Sequence, residues 1–310
     1  MTPRILVVGS INMDLIVRLQ RVPEQGETIH GDALCTAPGG KGANQAVACS
    51  RLGADTVMVG RVGEDEFGPK LRGGLASDGV DVAAVRVDGD APSGVALILL
   101  DESGDNRIIV IKGANARLGE EDVAAAAHLL EEADAVLMPL EVPLPVVKAV
   151  AEAARARGVR SVLDAGPATP AAVAAGLPRL VDLFSPNQTE AEAFTGVPVR
   201  DLEGARKAAV RLREMGARDV VLKLGDQGSY WLGEAGEHHE PAFPVDPVDT
   251  TAAGDAFTGC LVVSLGEGMP MPEAIRRANA AGALACLELG AQPSMPTAAA
   301  IDSFLRERAG

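Results

Sequence analysis

Short aliphatic runs alternate with stretches of helical pattern along this chain, and no other feature restricts its fold so strongly. The runs lie at residues 5–9, 56–62, 135–138, 160–163, 181–185 and 219–224, and the C-terminal third adds helical patterns at 254–265, 271–287 and 297–307. Strands without polar alternation are buried on both faces, as in a parallel sheet covered by helices on each side. The pattern therefore predicts an α/β fold of three layers, α/β/α, with a mostly parallel central sheet.

Two stretches interrupt the alternation early in the chain. Each pairs two extended runs, 13–19 with 27–34 and 94–100 with 107–112, and the turn-rich residues 101–106 join the second pair as a hairpin signal. We expect the ribbons to form a small β-sheet lid, built from inserted segments of about 12–36 and 93–112 in an otherwise single domain over residues 1–310. An apolar face left over on this lid would favour a homodimer through it.

Charge and composition exclude several classes of partner. The formal net charge is −15 and the chain has no basic run, so nucleic acid is not an expected partner. No stretch approaches the ~18 uninterrupted apolar residues that cross a bilayer, so we expect no membrane partner and a soluble, cytoplasmic protein. The cysteines lack a Cys-x-x-Cys spacing and predict reduced thiols rather than a metal site: Cys35, Cys49, Cys260 and Cys286.

The most informative segment is Asp249-Thr-Thr-Ala-Ala-Gly-Asp255, which leads into the helical pattern at 254–265. Small residues at a helix N-terminus let main-chain N–H groups approach an anion closely. Asp255, at the same point, could accept the proton of a hydroxyl that attacks a phosphorus atom held by those groups. Taken alone, Asp255 could equally be a simple helix cap.

Two further segments carry polar groups at positions that suit a ligand. Asn12 and Asp14 follow the first strand, where open α/β sheets bind ligands, and they point the same way in an extended chain. Together they could clamp the vicinal hydroxyls of a sugar. Lys41 lies in the glycine-rich segment 37–44 at the start of a helical pattern, where its charge opposes the helix dipole. Ordinary turns and loops remain alternatives for both segments, and neither a dinucleotide nor a Walker fingerprint is present.

These segments, in order and spacing, resemble the PfkB family of carbohydrate kinases and within it the ribokinase group. The resemblance runs through Gly9-Ser-Ile-Asn-Met-Asp14, Gly39-Gly-Lys-Gly-Ala-Asn-Gln-Ala46, Ser185-Pro-Asn-Gln-Thr-Glu190, the segment ending at Asp255, and Gly290-Ala-Gln-Pro-Ser294. It implies a ribokinase-like fold and ATP-dependent phosphorylation of the 5-hydroxyl of D-ribose. Alternative acceptors are 2-deoxyribose, fructose, 2-keto-3-deoxygluconate and nucleosides, and a non-catalytic sugar-binding regulator is a further alternative.

The resemblance also implies roles for individual residues. Asp255 would be the catalytic base, with the main-chain amides of Ala252, Ala253 and Gly254 completing an anion hole. The positions implied to contact the sugar, together with Asp255, are Asn12, Asp14, Gly40, Lys41, Gly42, Asn44 and Glu141. The positions implied to contact ATP are Asn187, Lys223, Gly225, Asp226, Gly228, Gly254 and Asn279.

Two cations are implied by the same resemblance. Asn187 and Glu190 would position Mg²⁺, partly through water, although from the residues alone they could be a helix cap with an acidic first turn. A K⁺ ion would lie beside the anion hole, bound by the Asp249 carboxylate together with Thr251, Ala285, Glu288, Gly290 and Ser294.

The chain departs from the family pattern at two points. It has Asp164-Ala-Gly-Pro167 where Asn-Pro-Ala is common, and Lys223 where Thr is frequent. The first departure is expected to alter contacts near the phosphate path, and the second to add a cation near the nucleotide.

Overall fold

The computed structural model describes residues 2–101 and 106–308. The strands are β1 (Arg4–Val8), β2 (Asn12–Arg18), β3 (Ala33–Gly39), β4 (Asp55–Gly63), β5 (Val85–Asp88), β6 (Gly94–Leu100), β7 (Asn106–Ile111), β8 (Ala135–Pro139), β9 (Arg160–Asp164), β10 (Leu183–Ser185), β11 (Asp219–Lys223), β12 (Ser229–Gly233) and β13 (Gly236–Glu240). The α-helices are α1 (Lys41–Arg51), α2 (Phe67–Ser77), α3 (Glu120–Leu129), α4 (Leu144–Arg157), α5 (Pro170–Ala174), α6 (Gln188–Thr195), α7 (Leu202–Glu214), α8 (Ala253–Gly266), α9 (Met271–Ala285) and α10 (Ala298–Glu307).

The central sheet has nine strands in the order β13-β12-β11-β10-β9-β8-β1-β4-β5, and it is parallel from β11 to β5. Neighbouring residues of one strand enter opposite hydrophobic cores: Ile5 and Val7 pack in the core that includes α1, α8 and α9, whereas Leu6 and Val8 pack in the core that includes α4 and α7. This burial on both faces confirms the predicted three-layer α/β/α architecture.

The predicted strands of the parallel sheet are all present, but three strands were missed. β5 is short, and β12 and β13 form an antiparallel extension at the other edge of the sheet. His238 and His239 lie in the edge strand β13. A polar edge strand exposes half of its residues to water, so it lacks the aliphatic run that marks a buried strand.

The second sheet has four strands in the order β3-β2-β6-β7. β2 pairs antiparallel with β3 and parallel with β6, which in turn pairs antiparallel with β7. The prediction of a strand at 27–34 was wrong, because β3 begins at Ala33 and continues to Gly39, opposite Asn12. Pro38 is tolerated in β3 because this strand lies at the edge of the sheet. Residues 102–105 of the predicted hairpin turn lie outside the described residues.

The three C-terminal helices begin and end within two residues of the predicted bounds, whereas α1 begins at Lys41, inside the glycine-rich segment 37–44. The Asn44 N–H donates to Gly40 O, so the first turn of the helix lies within the glycine-rich segment. No helix in the described ranges is long and apolar enough to cross a membrane.

Candidate active site

The N-terminus of α8 lies at the carboxyl end of the central sheet, and the preceding residue has an unusual backbone. Ala252 has φ 60°, the one positive φ of a non-glycine residue in the described ranges. The N–H groups of Ala253 and Asp255 donate within this turn, to Thr250 O and Ala252 O. No acceptor within the described residues meets the N–H groups of Ala252 and Gly254, so these two amides could donate to an anion.

Asp255 lies between α8 and α1 because a glycine lets these helices approach closely. A Cβ atom on Gly259 would lie 2.7 Å from the Cβ of Ala48. The buried Asp255 carboxylate accepts hydrogen bonds from Asn44 Nδ2 and Gln45 Nε2, both at 3.0 Å. Burial raises the pKa of Asp255 above its usual value; Lys41 opposes this and Asp164 reinforces it.

Lys41 brings positive charge to the same carboxylate. Its Nζ lies 3.6 Å from Asp255 Oδ1, and its side chain retains 29% exposure. Burial alone would lower the pKa of Lys41, but neighbouring carboxylates, Asp255 and Asp164 most strongly, outweigh burial and raise it. Lys41 is therefore a permanent cation beside the carboxylate that the sequence predicts as the base.

The polar residues of the first loop and β2 are held by partners from distant segments. Ser10 Oγ donates to Glu141, which also accepts from the main-chain N–H of Lys41 at 3.2 Å. The Oδ1 of Asn12 accepts from Asn115 Nδ2 at 2.8 Å. This bond turns the NH₂ group of Asn12 away from Asn115 and leaves it free to donate to a ligand.

Asp14 lies next to Asn12 on the same face of β2 and is buried. Burial, and then the negative charges of Glu141 and Asp255, raise its pKa to about 7. Asp14, Glu141 and Asp255 therefore lie close enough for their negative charges to interact. Gly40 and Gly42 lie beside these residues. Each packs so closely on the main chain of residues 9–12 that a Cβ atom would overlap it.

Asn187 and Glu190 form the helix cap that was the alternative reading of the sequence. Asn187 Oδ1 accepts from the Glu190 N–H, and Glu190 Oε2 accepts from the Asn187 N–H, both at 2.8 Å. This capping box opens α6. Glu190 Oε1 is left over, and it points toward Gly166, where a Cβ atom would overlap it.

Two cavities meet at this site. A cavity of about 430 Å³ is lined by residues that include Lys41, Glu190 and Asp255. A second cavity, of about 640 Å³, is mostly apolar and is lined by residues that include Asp226, Gly228 and Asn279. Lys223, Gly225, Thr250 and Gly254 line both cavities and form the seam between them. The amide of Asn279 is engaged with Ser229 Oγ and the carbonyls of Glu240 and Pro241, so it fixes the wall of the larger cavity.

The loops predicted to bind K⁺ lie together beside the N-terminus of α8. The two oxygens of Asp249 accept from the N–H groups of Thr251 and Gly290, both at 2.9 Å. Burial opposes ionisation of Asp249, but these hydrogen bonds hold its pKa below the usual value. The N–H groups of Val248 and Asp249 both donate to Cys286 O, between Ala285 and Glu288. Buried Ser294 donates to Ala291 O nearby.

Sequence reasoning missed two residues of this site. Gln45 Nε2 donates to both Asp255 and Asp164, and thereby links two buried carboxylates. Asn115, in a 3₁₀ turn after β7, exchanges hydrogen bonds with the main chain of Ile11 and orients Asn12. Gln45 was quoted only as part of a family motif, and no local signal distinguishes Asn115.

Comparisons with known proteins agree with this geometry. The family model for pfkB family carbohydrate kinases matches residues 2–298. The ribokinase of Haemophilus influenzae is 37% identical over 297 residues, which cover 96% of each chain. The deoxyribokinase of Salmonella typhi is 34% identical over 301 residues, 97% of this chain and 98% of that protein. The structure of Arabidopsis thaliana ribokinase complexed with ribose and ATP has a TM-score of 0.88 to this chain at 35% identity, with 99% of both chains covered. The predicted resemblance is thus confirmed, and the chain belongs to the pfkB family of carbohydrate kinases.

Proposed function

We propose that this chain transfers the γ-phosphoryl group of ATP to O5 of D-ribose and releases D-ribose 5-phosphate and ADP. The observation that carries this proposal is the buried Asp255 carboxylate at the N-terminus of α8, beside Lys41 and open to a cavity that adjoins an apolar pocket. The ribose and ATP of the Arabidopsis thaliana ribokinase structure support the same pair of substrates.

The geometry suits a base-assisted attack on phosphorus. The O5 hydroxyl gives its proton to Asp255 as the new O5–P bond forms and the bond from phosphorus to the leaving oxygen of ADP breaks. The raised pKa of Asp255 makes it a stronger proton acceptor than an exposed carboxylate. The free N–H groups of Ala252 and Gly254 and the Lys41 ammonium would stabilise negative charge on the transferring group.

The sugar is proposed to lie between β2 and the N-terminus of α1. Asn12 offers an amide donor whose orientation Asn115 fixes, and Asp14 offers a buried acceptor on the same face. A site that hydrogen-bonds a hydroxyl discriminates strongly against an analogue without it. 2-Deoxyribose is nonetheless the second candidate substrate, because a deoxyribokinase is 34% identical over nearly the whole chain.

Mg²⁺ is proposed to bind at Asn187 and Glu190, partly through water. The residues fit this role because Glu190 Oε1 remains unused by the capping box and Glu190 lines the smaller cavity. Mg²⁺ would supply charge neutralisation on the phosphates of ATP. Lys41 and the amides at the start of α8 would hold and orient the phosphoryl group itself.

K⁺ is proposed to bind between the loops at Asp249 and residues 285–294. One carboxylate, a hydroxyl and several carbonyl oxygens form a hard, weakly charged ligand set, which suits a large monovalent cation. The convergence of both loops on Cys286 O and on the Asp249 carboxylate supports this site. A cation there would brace the turn that contains Ala252.

A homodimer through the second sheet is proposed from the exposed aliphatic residues on it. Leu34 is 67% exposed in β3, and β7 exposes four successive aliphatic side chains, from Ile108 to Ile111. β7 is also an edge strand, whose unpaired main chain can bind another copy. Light scattering should give twice the monomer mass for the wild type and the monomer mass for Ile109→Lys, and a monomeric wild type would contradict the dimer.

The test of function is ADP release from ATP and Mg²⁺ against ribose, 2-deoxyribose, fructose, 2-keto-3-deoxygluconate and adenosine, with and without K⁺. We expect the highest kcat/KM with ribose and stimulation by K⁺. Preference for another acceptor would overturn the assignment of the sugar, and sugar binding without ADP release would overturn the proposal of catalysis. Activity that is indifferent to K⁺ would remove the K⁺ site alone.

A further inference from the structure

A buried pair of opposite charges spans three strands at the seam between the two cavities. Asp164 ends β9 and Lys223 ends β11, and β10 lies between them. Lys223 Nζ lies 3.1 Å from Asp164 Oδ2; the Asp164 side chain has no exposed surface and the Lys223 side chain is 13% exposed. Burying such a pair costs desolvation energy that an uncharged pair of similar volume would avoid, so stability alone does not account for it.

Asp164 is held in a fixed orientation by its other contacts. Its Oδ2 also accepts from Gln45 Nε2 at 2.9 Å, and its Oδ1 accepts from the Gly166 N–H at 3.3 Å. Burial would raise the pKa of Asp164, but the ammonium groups of Lys223 and Lys41 outweigh burial and hold it below the usual value. Asp164 is therefore an ionised, immobile acceptor for Lys223.

Lys223 retains a donor that can reach a ligand. An ammonium group has three N–H donors, and two of them have acceptors within the described residues: Asp164 Oδ2, and Thr258 Oγ1 at 3.4 Å. A Cβ atom on Gly254 would lie 3.8 Å from Lys223 Nζ, so the ammonium stands directly against the N-terminus of α8. The ammonium thus keeps one donor without an acceptor in the described part of the chain, beside Gly254 at the start of α8.

We propose that Asp164 and Lys223 act as one unit, in which Asp164 positions the Lys223 ammonium at the seam between the cavities and Lys223 binds the terminal phosphates of the nucleoside triphosphate. Lys223 is then a catalytic residue, because it touches the reacting phosphates, and Asp164 is a positioning residue that acts through it. The inference rests on the proposed function for its ligand, a nucleoside triphosphate whose terminal phosphate is transferred at α8.

The test compares the wild type with Asp164→Asn, with Lys223→Thr and with the double variant, in which both members of the pair are uncharged. Calorimetry would measure the binding of AMP, ADP and a non-hydrolysable ATP analogue without sugar. Removal of a charge-assisted hydrogen bond to phosphate predicts that Lys223→Thr binds the triphosphate roughly 10- to 100-fold more weakly and binds AMP with unchanged affinity. Asp164→Asn should weaken triphosphate binding selectively. The double variant should bind the triphosphate like Lys223→Thr alone, because Asp164 is proposed to influence triphosphate binding through its contact with Lys223.

Arg277→Gln is the matched control. Arg277 forms a largely buried ion pair with Glu267, 2.6 Å apart, at the far end of α8, so its loss should lower thermal stability without changing nucleotide affinity. Equal losses for AMP, ADP and the triphosphate analogue in Lys223→Thr, unchanged triphosphate affinity, or additive losses in the double variant would each overturn the inference. The binding measurements contain no sugar. If the protein phosphorylated none of the tested sugars, the proposed function would be refuted, but the nucleotide-binding result would still hold.

Discussion

Replacing Asp255 by asparagine should abolish most turnover while leaving the folded state nearly as stable as before. The carboxylate is the proposed proton acceptor, and positioned general bases contribute on the order of 10²–10⁴-fold to rate, which is about 3 to 5 kcal/mol of the barrier. We therefore expect kcat to fall by that factor.

The hydrogen bonds around Asp255 explain why the fold should tolerate the change. Asn44 Oδ1 is buried without a partner in the described part of the chain. Rotation of the Asn44 amide would present this oxygen to the introduced NH₂ group and replace the bond that Asn44 Nδ2 now donates at 3.0 Å. The variant also loses its ion pair with Lys41 but no longer buries a carboxylate near Asp164, and these changes largely offset each other. The free energy of unfolding should therefore change by about 1 kcal/mol or less.

The assay pairs steady-state ADP release with urea unfolding, and Asp122→Asn is the control. Asp122 is a fully buried carboxylate that pairs with Arg61 at 2.8 Å, away from the cavities. Its replacement should lower stability and leave kcat per folded molecule unchanged, the opposite of the result at Asp255. Loss of a general base should leave far less than a tenth of wild-type kcat. If Asp255→Asn kept more than about a tenth of it, Asp255 would not be the base.

Three further outcomes follow from contacts described above. Ala252→Gly should raise the free energy of unfolding by up to about 1 kcal/mol, since the left-handed φ of 60° strains alanine, and thermal unfolding that shows a decrease would refute this strain. Asn115→Ala should raise the KM for ribose at least several-fold, because Asn12 loses its fixed orientation, and should leave the KM for ATP unchanged. Steady-state kinetics with each substrate varied in turn would check this; equal increases in both KM values would mean that Asn115 has only a structural role. The pKa of Asp14 is raised to about 7, so its carboxylate, which accepts a hydrogen bond more strongly than the protonated group, forms only as the pH rises through 7. The KM for ribose should therefore fall as the pH rises through 7 in the wild type, and it should stay high and independent of pH in Asp14→Asn.

The parts of the fold that sequence could predict are those encoded by neighbouring residues. β1 is a continuous aliphatic run, and the segment ending at Asp255 combines small residues with a helix start, so each is recognisable without knowledge of its partners. β3 was misplaced because its pairing with β2 over seven residues, and not its own composition, makes it a strand. Its last residues, Pro38 and Gly39, locally indicate a loop.

The same distinction applies within the site. Asp255 and Lys41 belong to motifs with an evident chemical reason, whereas Gln45 and Asn115 gain their importance from partners more than 100 residues away. Lys223 and Asp164 could be recognised as departures from a family pattern, but their pairing depends on the strand order of the central sheet. A single sequence does not reveal that β9 and β11 are separated by one strand in the sheet, which is what brings the ends of these two strands together.

The second sheet begins two residues after Ser10, so the groups proposed to recognise the sugar are not mounted on the rigid central sheet. Asn12 and Asp14 are the first and third residues of β2, and Asn115 follows β7, at the opposite edge of that same sheet. A tilt of the four strands relative to α1 and α8 would carry these side chains together while Asp255 and Lys41 stay in place. If the sugar binds as proposed, its recognition and its covering would then be one motion, and a sugar that fails to engage Asn12 and Asp14 would leave the phosphoryl group open to water.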